Sequence, residues 1–295
     1  MARDLSRLTP CQRIERSIQK KYRDTLWGPF IAGVKEYRLI QPNDCICVCI
    51  SGGKDSMLLA KLMQMLQRRS DFPFEVRFLV MDPGYTPENR QRILDNAALL
   101  DIPVTVRESD IFRAVEGVEK NPCYLCARMR RGYLYKYARE LGCNKIALGH
   151  HFSDVVETTL MGLLYGAQVQ AMMPKLHSKN YPGMELIRPM YCVHEEDIIA
   201  WARYNELQFL QCACRFTEKV ETEGRESQSK RKETKALLKT LCQTNPDVEK
   251  HIFRAIHMVN MDTLLGWKKD GAEHSFLEEY DNKKDSPEGL SEEDE

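Results

Sequence analysis

The stretch that most constrains this chain is Cys45-Ile46-Cys47-Val48-Cys49-Ile50 running straight into Ser51-Gly52-Gly53-Lys54-Asp55-Ser56. The first six residues are apolar and β-favouring, the profile of a strand buried on both faces. Beyond the glycines, Met57, Leu58, Leu59, Leu62 and Leu66 recur at helical spacing. Strand, glycine turn and helix bring free backbone N–H groups and the positive end of a helix to one point, which makes an anion site. Gly52 and Gly53 let the backbone approach a phosphate, Ser51 and Ser56 add hydroxyl donors, and Lys54 adds a mobile cation.

Two familiar phosphate loops do not fit. Val48 stands where a Walker A loop needs its first glycine, and Asp55 follows the lysine. No Gly-x-Gly-x-x-Gly run of the dinucleotide-binding kind is present. Ser51–Ser56 resembles the SGGxDS pyrophosphate loop of the ATP pyrophosphatase (PP-loop) superfamily. That resemblance implies ATP binding and transfer of AMP onto a carbonyl-type oxygen. The plain alternative is an ordinary strand–turn–helix corner.

The chain alternates onward as an α/β protein does. Strands are expected at Val76–Met81, Pro103–Val106 and Lys145–Gly149, with a helix opening at Thr86-Pro87-Glu88. A doubly wound, mostly parallel sheet places Ser51, Met81 and Gly149-His150 on one rim, outside the carboxyl ends of the strands. Upstream, Thr9-Pro10-Cys11-Gln12 reads as a capped helix start, followed by Ile14, Ile18 and Tyr22 on one face. Arg13, Arg16, Lys20, Lys21 and Arg23 lie mostly elsewhere, as a solvated face or an RNA contact.

Composition sets the outer bounds. With 295 residues and 43% hydrophobic content, the chain is long enough for one large or two ordinary soluble domains. No apolar run reaches membrane-spanning length and no signal-type core opens the chain, so a cytoplasmic location is expected. There, 11 cysteines suit metal or sulfur chemistry better than disulfides. Net charge is zero, but the segment from Glu278 is strongly acidic, which leaves the body net positive and suited to nucleic acid.

Asn121-Pro122-Cys123-Tyr124-Leu125-Cys126 comes next, trailed by Arg128, Arg130 and Arg131. A Cys-x-x-Cys at a helix start beside cations favours thiolate. A redox pair, half a zinc site and ligands to an iron–sulfur cluster all fit that spacing. The distant Cys212-Ala213-Cys214 weighs against a pair acting alone. Four thiolates make a structural zinc site, and three hold a cubane with one open iron.

Ser51–Ser56, the Asn-Pro-Cys-x-x-Cys run with its arginines, Gly149-His150-His151 through Asp154 and Glu157, Met173-Pro174-Lys175-Leu176 and Ile187-Arg188-Pro189 follow in one order. That order resembles the TtcA-type tRNA 2-thiocytidine synthetases from about Asp44 to Cys214. The resemblance implies ATP- and Mg2+-dependent sulfur transfer to C2 of a cytidine in the tRNA anticodon loop, with a [4Fe–4S] cluster. It implies cluster ligands at Cys123, Cys126 and Cys212, with Cys214 as the alternative third, because this chain carries Cys-x-Cys where the family shows Cys-x-x-Cys.

The resemblance further assigns Ser51, Gly52, Gly53, Lys54, Asp55, Ser56, Met81, Gly149 and His150 to ATP, and Lys54, Asp55 and Asp154 to catalysis. Arg128, Arg130 and Arg131 are expected on tRNA. A sulfur donor (cysteine desulfurase or free sulfide) and a homodimer are the further expected partners. The runner-up readings are a tRNA 2-thiouridine synthetase or a zinc-stabilised amidating or ligating enzyme. The expected fold is α/β, of the Rossmann-like PP-loop (HUP) kind. It divides into an N-terminal helical extension (1–43), a catalytic domain (44–216), a C-terminal helical region (217–268) and an acidic, disordered tail (269–295).

Overall fold

The computed structural model describes residues 8–115, 118, 122–210 and 230–280, the side chains of 122–124 and 279 excepted. Residues Met1–Glu249 form one compact unit and Lys250–Glu295 a second.

The first unit is built on a six-stranded sheet of β1 (Cys45–Ile50), β2 (Glu75–Asp82), β3 (Val104–Glu108), β4 (Lys145–Ala147), β5 (Lys175–His177) and β6 (Glu185–Ile187), in the order β3-β2-β1-β4-β6-β5. All neighbours run parallel except β5, which closes one edge antiparallel to β6. Buried parallel strands need apolar side chains on both faces, and β1 supplies them: Ile46, Cys47 and Val48 have no exposed surface. The winding reverses at β1, with β2 and β3 on one side and β4 on the other. The crevice of such a sheet opens at that reversal, beyond the carboxyl end of β1.

Crossovers come from α3 (Lys54–Gln67), α4 (Pro87–Leu99), α5 (Ile111–Ala114), α6 (Pro122–Glu140) and α7 (Phe152–Gly166). The N-terminal extension carries α1 (Pro10–Gln19), a π-helical turn over Arg23–Trp27 and α2 (Gly28–Glu36). At the start of α1, Thr9 Oγ1 accepts from the Gln12 N–H at 3.2 Å and Gln12 Oε1 accepts from the Thr9 N–H at 3.0 Å, a complete capping box. The fully buried Lys61 of α3 pairs with Glu15 of α1 at 2.8 Å, a charge that could not stay buried unpaired.

The expected strands are present with shifted ends. β4 stops at Ala147, so Leu148 and Gly149 already belong to the loop above the sheet. β5 and β6 answer to no strand read from the sequence: each spans three residues, and all three of β5 are exposed. After them α8 (Glu195–Tyr204) packs on α3 and on the Arg23–Trp27 turn.

The second unit contains a two-stranded ribbon, β7 (Gly266–Lys269) and β8 (Ala272–Ser275), and the short helix Leu277–Tyr280. The indole of Trp267 stacks on the His274 ring at 5.5 Å. Within the stretch expected to be unstructured from 269, residues up to 280 therefore carry regular structure. Residues 281–295 lie outside the described residues, as do Cys212 and Cys214.

Candidate active site

The site begins at the turn between β1 and α3. Gly52 takes φ +89, a left-handed value that favours glycine, and a Cβ there would meet Ile93 Cγ1 at 2.6 Å. Gly53 caps α3 without any side-chain bond, so the first-turn N–H groups face the crevice. Ser56 ties the turn: its Oγ donates to the Gly53 carbonyl at 3.0 Å and accepts from the Ser51 N–H at 3.2 Å. Gly149, above β4, presses on the same turn, since a Cβ on it would lie 3.1 Å from Ser56 N and from the Asp55 carbonyl carbon.

A cleft of about 390 Å³ opens over this turn. Ser51, Asp55, Ser56, Met81, Gly149, His150, Asp154, Arg130 and Arg131 line it, so nine of the residues singled out from sequence meet at one place. Gly52 and Gly53 shape its floor from behind, and Lys54 stands at its edge. Arg128, grouped with the other two arginines from sequence, is exposed and does not line the cleft.

Charge in the cleft is closely balanced. Lys54 Nζ lies 3.2 Å from both Asp55 carboxylate oxygens and 3.0 Å from Glu195 Oε1 at the start of α8. Burial disfavours the Lys54 charge, but Asp55 and Glu195 outweigh it and hold its pKa above the usual lysine value. Glu195 also accepts from Lys235 of the Lys230–Thr244 helix. Burial alone would raise Glu195, yet the bonds from Lys235 and Lys54 bring it down to about 2. Arg231, one turn earlier on that helix, reaches Asp154 Oδ1 at 3.2 Å and Glu157 Oε2 at 3.4 Å.

His151 caps α7: its Nδ1 accepts from the Asp154 N–H at 3.4 Å, which leaves the proton on Nε2. That Nε2 lies 3.4 Å from Asp154 Oδ2 and 3.8 Å from Asp55 Oδ1, so the histidine bridges the two carboxylates. His150 lines the cleft. Burial, reinforced by the nearby Arg188 charge, pushes its pKa down to about 4, and the ring is neutral at physiological pH. Arg188 is itself buried, pushed down to about 10 by that burial, and donates to the Met173 carbonyl. Asp55 Oδ1, His150 Nδ1 and Arg188 Nε are all buried without a hydrogen-bond partner.

The cysteine pair sits at the opening of α6. Cys126 is buried, and Cys123 precedes it by three residues on the same helix. Cys126 lies near the Tyr85 phenol, which donates to the Ser51 carbonyl at 3.4 Å. From the other side the Leu210 N–H donates to the Gly52 carbonyl at 3.2 Å, two residues before Cys212. Among the described residues no group of three metal-ligating side chains forms.

Sequence reasoning missed Glu195, Arg231, Lys235 and Arg188 as members of the site. The Ile187-Arg188-Pro189 run and the Lys230–Lys235 basic cluster were visible signals, but neither says which carboxylate a distant cation will reach.

Residues 12–215 match the model of the PP-loop domain family. Over 264 residues the chain is 33% identical to the tRNA-cytidine(32) 2-sulfurtransferase of Bordetella pertussis (strain Tohama I), covering 87% of this chain and 78% of that protein. It is 35% identical over 240 residues to the enzyme of the same name from Coxiella burnetii (strain RSA 331), covering 79% and 88%. The chain belongs to the PP-loop tRNA-cytidine 2-sulfurtransferase family. Its PP-loop fold is shared with the U34-tRNA thiolase NcsA from Methanococcus maripaludis, solved with its [4Fe–4S] cluster. TM-score is 0.61 and identity 19%, over 78% of this chain and 76% of that one.

Proposed function

We propose that this chain is an ATP-dependent tRNA sulfurtransferase that replaces the C2 oxygen of an anticodon-loop cytidine with sulfur. The observation that carries the reading is the cleft itself, where the glycine turn, Lys54 and two carboxylates meet beside α6, the Cys-x-x-Cys helix, with Cys126 buried in it.

The C2 oxygen of cytidine is a poor leaving group, so it is first converted to an adenylate. The first-turn N–H groups of α3, the Ser51 and Ser56 hydroxyls and Lys54 receive the pyrophosphate, where negative charge builds as it departs. Donors preorganised for that charge stabilise it without having to reorganise as it forms. Asp55 and Asp154 fit Mg2+, an oxygen-seeking ion that shares its ligands with phosphates, and Asp55 Oδ1, buried and without a hydrogen bond, is the oxygen that would take the ion in exchange for the Lys54 charge. His151 holds both carboxylates in place, and neutral His150 with Arg188 forms the polar wall beside them.

Cys123, Cys126 and Cys212 fit a [4Fe–4S] cluster: Cys126 is buried next to the turn, and Leu210 pins the chain leading to Cys212 against Gly52. When bound, such a cluster would supply the sulfur that takes the place of the C2 oxygen, which leaves as AMP. Arg130 and Arg131 stand on the cleft side of the same helix, ready for RNA phosphates, with Arg128 exposed beyond them. Sulfide arrives free or from a cysteine desulfurase, the working form is a homodimer, and the location is cytoplasmic. Among the described residues no helix is long and apolar enough to cross a membrane.

Lys54→Ala and Asp55→Ala are expected to lower tRNA- and ATP-dependent pyrophosphate release by about 10²–10³-fold while the fold survives. Wild-type release in both folded variants would sink the assignment.

A further inference from the structure

We propose that the exposed side of α1, together with the end of α8, is a second RNA contact that grips the phosphate backbone of the tRNA far from the nucleotide in the cleft. The inference rests on the tRNA reading above and adds a surface to it.

The groove concerned has a volume of about 550 Å³ and lies between α1, Leu99 at the end of α4 and Tyr204-Asn205-Glu206 at the end of α8. Arg13, Arg16, Lys20 and Lys21 line it, against the single described carboxylate of Glu206. All four basic side chains are exposed, and among the described residues none of them forms an ion pair.

The reason is local. Glu15 is the one carboxylate of α1, and it turns inward to Lys61 of α3 at 2.8 Å and to Arg68, which caps the end of α3, at 2.5 Å. These two cations thus consume the acid that would otherwise neutralise α1. Arg13, Arg16 and Lys20, spaced three and four apart, remain as one positive row. α1 and the turn after it are held against α8 and its cap: Tyr22 Oη, just beyond α1, donates to the Ala200 carbonyl of α8 at 2.9 Å, and Nδ2 of the capping Asn205 donates to Ser17 Oγ of α1 at 3.0 Å.

An aromatic face completes the groove. Tyr204 is 54% exposed, and Lys21 Nζ lies 3.7 Å from its ring centre. Cations in a row with an exposed ring suit a nucleic-acid backbone, whose phosphates lie several ångströms apart and whose bases or riboses can rest on the ring. In a chain of zero net charge, four cations in one groove without an ion pair among the described residues are a local concentration and not a reflection of composition.

Position makes the contact distinct from the cleft. α4 leaves the rim near Asp82 at Pro87 and ends at Leu99, about 18 Å along its axis at 1.5 Å per residue. The groove is therefore near the opposite end of the sheet from the phosphate turn, and only a long polyanion reaches both.

The test uses the full chain with Arg13, Arg16, Lys20 and Lys21 all changed to Ala. Binding of an unmodified full-length tRNA and of the isolated anticodon stem-loop is measured across a salt titration, with thermal melting as the control for folding. Full-length tRNA affinity is expected to fall at least about tenfold at low salt, with the log–log salt slope shallower by about two to four. Stem-loop affinity and melting temperature are expected to stay at the wild-type level.

Unchanged tRNA affinity and slope would overturn the proposal. So would equal losses for tRNA and stem-loop, which would place the four residues at the cleft. A wild-type chain that binds polyglutamate through these residues as tightly as tRNA would overturn the RNA assignment in favour of an acidic protein partner. The groove is judged on binding alone, whereas a wild-type enzyme that binds tRNA but never thiolates it would instead overturn the proposed reaction.

Discussion

Lys54 of the phosphate turn is tied to Glu195, 3.0 Å away at the opening of α8 and 141 residues along the chain. The cation proposed to meet the triphosphate is thus held by two carboxylates, and Glu195 in turn is shared with Lys235. Such a cation is positioned before its anion arrives.

Glu195→Gln removes this anchor, and its stability effect depends on pH. The folded carboxyl titrates near 2, below its ordinary 4.5, so its ion pairs stabilise fully above about 4.5 and fade as pH falls toward 2. Urea unfolding of wild type and Glu195→Gln should show a gap in midpoint that is constant from pH 5 to pH 7, on the order of the windows linkage sets, and narrows below it. A gap that widens on acidification would contradict the pairing.

Gly149→Ala tests the contact between the β4 loop and the first turn of α3. The added methyl meets backbone at 3.1 Å on Asp55 and Ser56, which cannot rotate away as a side chain would. Overpacking of this kind costs about 1–3 kcal/mol. The expected result is a lower denaturation midpoint together with weaker ATP binding by calorimetry. An unshifted midpoint with intact ATP affinity would show that the turn has more room than its geometry implies.

His150 and Arg188 make a pair that NMR can read. Burial and the Arg188 charge hold the imidazole near 4. Arg188→Met removes the cation and keeps the apolar contact, so the His150 midpoint should rise toward 6.5 without reaching it, because burial remains. No movement of the midpoint would mean that burial alone sets it.

The cysteines separate cluster from zinc. Cys123→Ala, Cys126→Ala and Cys212→Ala are each expected to lose iron and thiolation in anaerobically prepared protein, whereas Cys214→Ala keeps both. A four-thiolate zinc site would weaken on all four changes, since tetrahedral structural sites are closed. Iron content and visible absorption of the four variants decide between them.

How far the sequence reveals this molecule depends on the range of the interactions involved. β1 and its turn were legible because a doubly buried strand must be apolar and the turn needs glycine at φ +89, both local demands. The capping box of Thr9 and Gln12 was legible for the same reason. β5 was not, because an exposed three-residue edge strand takes its shape from Leu186 and its neighbours and leaves no alternation of its own. Glu195 was hidden differently: one acid in Glu195-Glu196-Asp197 meets Lys54, and only the packing of α8 on α3 selects which.

The interior thiols bear on how such a chain survives its own chemistry. Cys45 and Cys143 face each other at 3.4 Å, and burial with that contact pushes Cys45 up to about 12. Burial also drives Cys192 up to about 11. At neutral pH these sulfurs keep their protons, so they are poor nucleophiles toward sulfane sulfur and poor traps for stray iron. Holding these thiols protonated lets an abundance of cysteine coexist with sulfur traffic: Cys45, Cys143 and Cys192 stay out of the exchange that the Cys-x-x-Cys helix is proposed to carry.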